Sequence, residues 1–90
     1  MGMDETLDLR GLKCPLPAML ARKALARLHP GARLTVLADD PMAAVDIPHM
    51  CFCEGHAVMA VTEAAGHRVF ALRRGPSPDP ASGPHPAPGG

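Results

Sequence analysis

Two prolines one residue apart, in the run Gly11-Leu12-Lys13-Cys14-Pro15-Leu16-Pro17, limit what this chain can fold into more tightly than any other feature. Proline has no amide hydrogen and clashes with the preceding turn inside a helix, but it is well tolerated in a helix's first turn. A helix can therefore begin here and cannot run in from upstream. Pro15 is expected at the first helical position, Pro17 two residues further in, and Cys14 at the N-cap. On that reading the unpaired N–H groups of Leu16 and Ala18 and the positive end of the helix dipole face the sulfur. Lys13 adds a cation in the same direction. The Cys14 thiol is thus expected to be more acidic and more nucleophilic than free cysteine, on a mount that Pro15 and Pro17 stiffen.

The rest of the chain reads as short alternating elements. Thr6 to Arg10 alternates apolar and polar residues, the pattern of a half-buried strand with Leu7 and Leu9 inward. After Pro15, the residues Leu16, Met19, Leu20, Ala24 and Leu28 recur at helical spacing, with Arg22, Lys23 and Arg27 off that stripe. His29-Pro30-Gly31 stops this helix, Gly31 supplying a left-handed cap. Arg33 to Ala38 alternates again, so strand, helix and strand form a parallel, right-handed crossover. Asp39-Asp40-Pro41 reads as a turn in which Asp40 caps, more simply a solvated cap than a catalytic pair. Pro48 predicts a short turn over Pro41 to Val45 and a fresh helix start at Asp46. Gly55 ends that helix. His56 to Glu63 and His67 to Arg73 form a hairpin through Ala64-Ala65-Gly66. The order β-α-β-α-β-β gives an α/β fold, a two-layer α/β sandwich with two helices packed on one face of a four-stranded mixed sheet.

Composition bounds the function. Residues 75–90 read GPSPDPASGPHPAPGG, with six prolines, four glycines and no large apolar side chain, and are expected to be a disordered tail. The folded domain is then residues 1–74, a core too thin for a deep substrate pocket and filled by Leu, Val, Ala and Met. Nine basic residues balance nine acidic ones, which gives no pull toward nucleic acid. No apolar run approaches a membrane span, and Met1 to Asp8 has neither the basic nor the apolar region of a secretory signal. A cytoplasmic monomer with no cofactor and no metal is expected, and in a reducing compartment three cysteines read as thiols rather than disulfides. Cys51 and Cys53 point to different sides of a helix. With His49 and His56 nearby they lack the usual spacing of a zinc site, so Cys51 reads as packed core, and a resolving role for Cys53 stays open.

The run from Leu7 through Cys14-Pro15-Leu16-Pro17, followed by Asp39-Asp40-Pro41, Asp46-Ile47-Pro48, Cys51 and Gly55-His56, resembles the TusA/SirA/YedF family of small sulfur-carrier proteins. The likeness spans residues 5–74. It implies a sandwich like the C-terminal domain of a bacterial translation initiation factor. It also implies a persulfide on Cys14, received from a cysteine desulfurase or other sulfur donor and relayed to an acceptor protein, in tRNA 2-thiolation or another sulfur-transfer pathway. Lys13, Pro15 and Pro17 would support the thiol, while Arg22, Lys23 and Arg27 could dock an acidic partner. The competing reading is a non-catalytic interaction or redox-regulatory domain whose thiol is incidental.

Overall fold

The computed structural model describes residues 4–76. Six elements follow in order: β1 (Asp4–Asp8), α1 (Leu16–Arg27), β2 (Arg33–Ala38), α2 (Ala43–Glu54), β3 (Ala57–Ala64) and β4 (His67–Arg73). They form the expected two helices and four-stranded mixed sheet, with strand order β1-β2-β4-β3. β1 runs parallel to β2, with Leu7 opposite Val36, whereas β4 pairs antiparallel with both β2 and β3. Because β1 and β2 are parallel neighbours, the loops that leave their C-terminal ends emerge side by side. That adjacency builds the site.

Period-two alternation decides which face is covered. Leu34, Val36 and Ala38 on β2 and Phe70 and Leu72 on β4 are buried, while Thr35, Leu37, Val69 and Ala71 between them remain half-exposed on the other face. Against the buried face lie Ala21, Ala24 and Leu25 of α1 and Ala43, Ile47, Met50 and Cys51 of α2. The small alanines let the helices approach the sheet closely. Phe70 is the largest fully buried side chain, and Leu and Ala make up most of the core; of the methionines expected there, among the described residues Met50 is buried while Met19, Met42 and Met59 are exposed.

Several boundaries moved. β1 begins and ends two residues earlier than the alternation suggested, because Arg10 folds back to bond the Asp8 carboxylate through both its backbone and its guanidinium. Leu9 still donates to the Leu37 carbonyl at 2.8 Å and is buried, so its inward placement holds. α1 stops at Arg27, and its cap residue Leu28 is extended. Gly31 is instead the left-handed residue (φ 88°) of a turn closed from Ala32 N–H to the His29 carbonyl. α2 is continuous, without the break expected at Pro48. Pro48 lies past the first turn and removes a backbone donor from the helix, and burial of Ile47, Met50 and Cys51 on one face offsets that loss.

The domain closes where its last strand meets the end of α1. The Arg74 guanidinium donates to the Leu28 carbonyl at 3.2 Å, satisfying a group at the C-terminus of α1, and to the Gly75 carbonyl at 3.3 Å. Gly75 is buried, and an added Cβ would overlap the Gly55 carbonyl. Its N–H donates to His56 Nδ1 at 2.8 Å. The chain is therefore tied down through Gly75, one residue past the expected domain end, and residues 77–90 of the expected tail lie outside the described residues. No helix among the described residues is long and apolar enough to cross a membrane.

Candidate functional site

The Gly11–Pro15 loop leaves β1 beside the Asp39–Met42 loop that leaves β2, and aspartates from the second loop hold the first. Gly11, at φ 89°, points its N–H at both oxygens of Asp39, 3.0 and 3.1 Å away. The Cys14 N–H donates to Asp40 Oδ2 at 2.9 Å. From α2, Asp46 presents Oδ2 to the Cys14 thiol, which donates to it across 2.8 Å. Inside the loop, Leu12 N–H bonds the Leu9 carbonyl and Leu16 N–H bonds the Lys13 carbonyl at 2.8 Å. The backbone around Cys14 is thus fixed at both ends while the side chain stays exposed.

This geometry corrects the expected cap. α1 begins at Leu16, with Pro15 at the N-cap and Pro17 one residue inside the helix, so Cys14 precedes the N-cap. The Leu16 N–H, expected to face the sulfur, is used by the Lys13 carbonyl. The thiol answers to carboxylates instead. Its hydrogen bond to Asp46, then partial desolvation and the negative charges of Asp46 and Asp40, raise its pKa rather than lower it. Asp40 does not cap α2 with its side chain either: Met42 is the N-cap, with no side-chain bond, and the Asp40 carboxylate is given to Cys14.

The outer surface of the helix layer near this loop mixes apolar and basic groups. Leu16 and Met19, expected in the buried stripe, are 43% and 45% exposed, and Pro17, Ala21, Ala24 and Leu25 face the core instead. At 100° per residue those four fall on one side of α1, whereas Leu16 and Met19 fall on the other. On α2, Met42, Val45 and Phe52 are also exposed. Arg22, Lys23 and Arg27 lie on the solvent side of α1, as the stripe suggested, with Arg27 4.0 Å from Glu5 on β1. Lys13 is exposed beside Cys14.

Cys51 is a core residue, and burial pushes its thiol up to about 11. Cys53 is exposed on the same helix, 3.5 Å from His49 Nε2. Among the described residues no group of three or more His, Cys, Asp or Glu is placed to hold a metal ion. His56 caps α2 through its backbone, donating its N–H to the Cys51 carbonyl at 2.8 Å, while its Nδ1 accepts the Gly75 N–H; burial followed by the charge of Arg74 lowers its pKa.

The role of Asp46 and the true use of Asp39 and Asp40 were not read from the sequence. A usable signal existed, since a parallel β1–β2 pair brings residues just past Asp8 and Ala38 together. Asp46 offered less, because its contact with Cys14 depends on α2 running unbroken through Pro48.

An exposed cysteine on a pinned loop, at the end of a two-layer α/β sandwich where both helices begin, defines a small thiol-presenting protein. The family model for sulfurtransferase TusA matches residues 5–74, and the chain belongs to that family. A solved structure of a SirA-like protein from Desulfitobacterium hafniense is similar to it at 29% identity and a TM-score of 0.70, over 79% of this chain and 97% of that one. Family and structure together support a role as a sulfur carrier.

Proposed function

We propose that Cys14 carries sulfane sulfur as a persulfide, accepting it from a cysteine desulfurase or another persulfide donor and passing it to an acceptor protein. One observation carries this reading: within the family-matched region, Cys14 is an exposed thiol whose backbone is anchored while its sulfur remains reachable. Transfer needs no resident cofactor. The sulfur of Cys14 attacks the outer sulfur of the donor's persulfide, the donor's S–S bond breaks, and the donor keeps its cysteine as a thiol. The reverse roles unload the carrier, with no net oxidation.

The partner's approach is set by what surrounds the loop. Leu16, the first residue of α1, and Met19, less than one turn further on, offer exposed apolar area near the thiol, with Arg22, Lys23 and Arg27 beyond them as a basic strip for an acidic protein surface. Near-zero net charge argues for a protein acceptor rather than nucleic acid, and a reducing cytoplasm suits a carrier with reactive thiols. Intact mass after incubation with a cysteine desulfurase and cysteine tests the assignment. A gain of one sulfur atom that Cys14→Ser abolishes is expected. No gain from any persulfide donor refutes carriage and leaves the interaction-domain reading in its place.

A further inference from the structure

The bond between Cys14 and Asp46 is possible in only one protonation state of the sulfur. A thiol can donate to a carboxylate at 2.8 Å, whereas a thiolate has no proton to give and would meet a second negative charge in contact. Two carboxylates around the sulfur favour the protonated thiol, and one cation opposes them. Asp46 approaches from α2 and Asp40 from the β2–α2 connection, α1 carries no acidic residue in its first turn, and Lys13 is the adjacent cation. The raised pKa of the thiol agrees with this balance. A persulfide is a stronger acid than the thiol it replaces, so at neutral pH it is an anion. It cannot repeat the bond to Asp46.

We propose that Asp46 makes the placement of Cys14 depend on its cargo: the empty thiol is held protonated against Asp46, and the loaded persulfide is released from it toward the acceptor. The inference rests on the carrier reading and adds to it a positioning residue that suppresses the idle nucleophile. In loading, a bond forms from Cys14 sulfur to the donor's outer sulfur and the donor's S–S bond breaks. The Cys14 proton passes through the Asp46 carboxylate to the departing donor sulfur, which leaves as a thiol. The anionic charge of the donor's persulfide ends on the carrier's terminal sulfur, beside a carboxylate that repels it. Charge and proton balance without an oxidant.

The test uses the full, reduced chain and iodoacetamide, following alkylation of the Cys14 peptide by mass against pH. For the wild-type chain the expected midpoint lies above that of free cysteine. Asp46→Asn is expected to lower it by about one pH unit and to raise the rate at neutral pH about tenfold, while Asp46→Glu stays near wild type. A wild-type midpoint at or below that of free cysteine overturns the proposal without any variant. So does a folded Asp46→Asn chain, by circular dichroism, with an unmoved midpoint. In a second arm the chain is loaded with inorganic polysulfide. The loaded sulfur is expected to be alkylated far faster than the empty thiol at neutral pH, with Asp46→Asn narrowing that ratio. An unchanged ratio overturns the cargo dependence. Failure to load, with the thiol titration as expected, refutes the carrier reading separately and takes the cargo half of the proposal with it.

Discussion

Removing both aspartates that pin the thiol loop, as Asp39→Ala/Asp40→Ala, should cost stability and transfer rate together. Each carboxylate satisfies one backbone N–H of the loop, Gly11 for Asp39 and Cys14 for Asp40. Hydrogen bonds to charged groups contribute about 1.5–3 kcal/mol when shielded, but these are exposed and water can replace them, so about 1 kcal/mol each is the appropriate scale. The two bonds lie three residues apart in one loop, so they are coupled and their sum, about 2 kcal/mol, is an upper bound. For a domain of this size that corresponds to a fall in melting temperature of up to about 8–16 °C. Asp40→Asn keeps an acceptor oxygen and should lose less than half as much. Thermal melts by circular dichroism measure the first effect, and single-turnover transfer from a desulfurase followed by intact mass measures the second. Transfer should slow, because the loop no longer presents Cys14 in one position. A melting temperature within error of wild type, with an unchanged transfer rate, would refute the view that this pair orders the site.

Reversing Arg22 and Arg27 to Glu should slow loading from the desulfurase at low ionic strength and much less at high salt, with the melting curve intact; equal rates at low salt would eliminate this strip as the dock. His56 has a folded pKa below its ordinary 6.5, so the native state binds its proton less readily than the unfolded chain does. Its contribution is therefore complete above about pH 6.5 and is lost as pH falls toward the lowered value, and urea midpoints measured from pH 7 to 5 should decline less in His56→Gln than in wild type. Deleting residues 76–90 should leave the melting temperature unchanged, whereas extending the deletion to Gly75 should lower it, because the bond to His56 goes with it. Equal melting temperatures for the two truncations would count against the Gly75 anchor.

The order of elements was legible in the sequence because each is announced locally. Alternation marked β2 and a β-rich run in a hairpin marked β4, both at their observed limits, Gly55 closed α2 in the left-handed conformation at φ 82°, and Ala65-Gly66 turned the hairpin. The placing of Cys51 and Cys53 on different sides of α2 likewise followed from helical periodicity, and the packing made Cys51 the buried one. Cys14 could be singled out for the same reason, since two nearby prolines allow a helix only downstream of it.

What surrounds the Cys14 sulfur was decided by tertiary structure. A helix start shifted by one residue moved the thiol ahead of the N-cap and left the Leu16 N–H on Lys13. Residues 26 and 32 positions further along the chain then supplied the carboxylates that hold it. Local propensity describes bonds within a turn or a helix, and it is silent about which loops become neighbours. The parallel pairing of β1 with β2 brought Asp39 to the loop and Asp40 to Cys14, and the unbroken run of α2 brought Asp46 to the thiol. Asp46 and Asp40 reversed the sign of its expected acidity, because a carboxylate in contact with the sulfur outweighs the pull of a helix start that the thiol precedes.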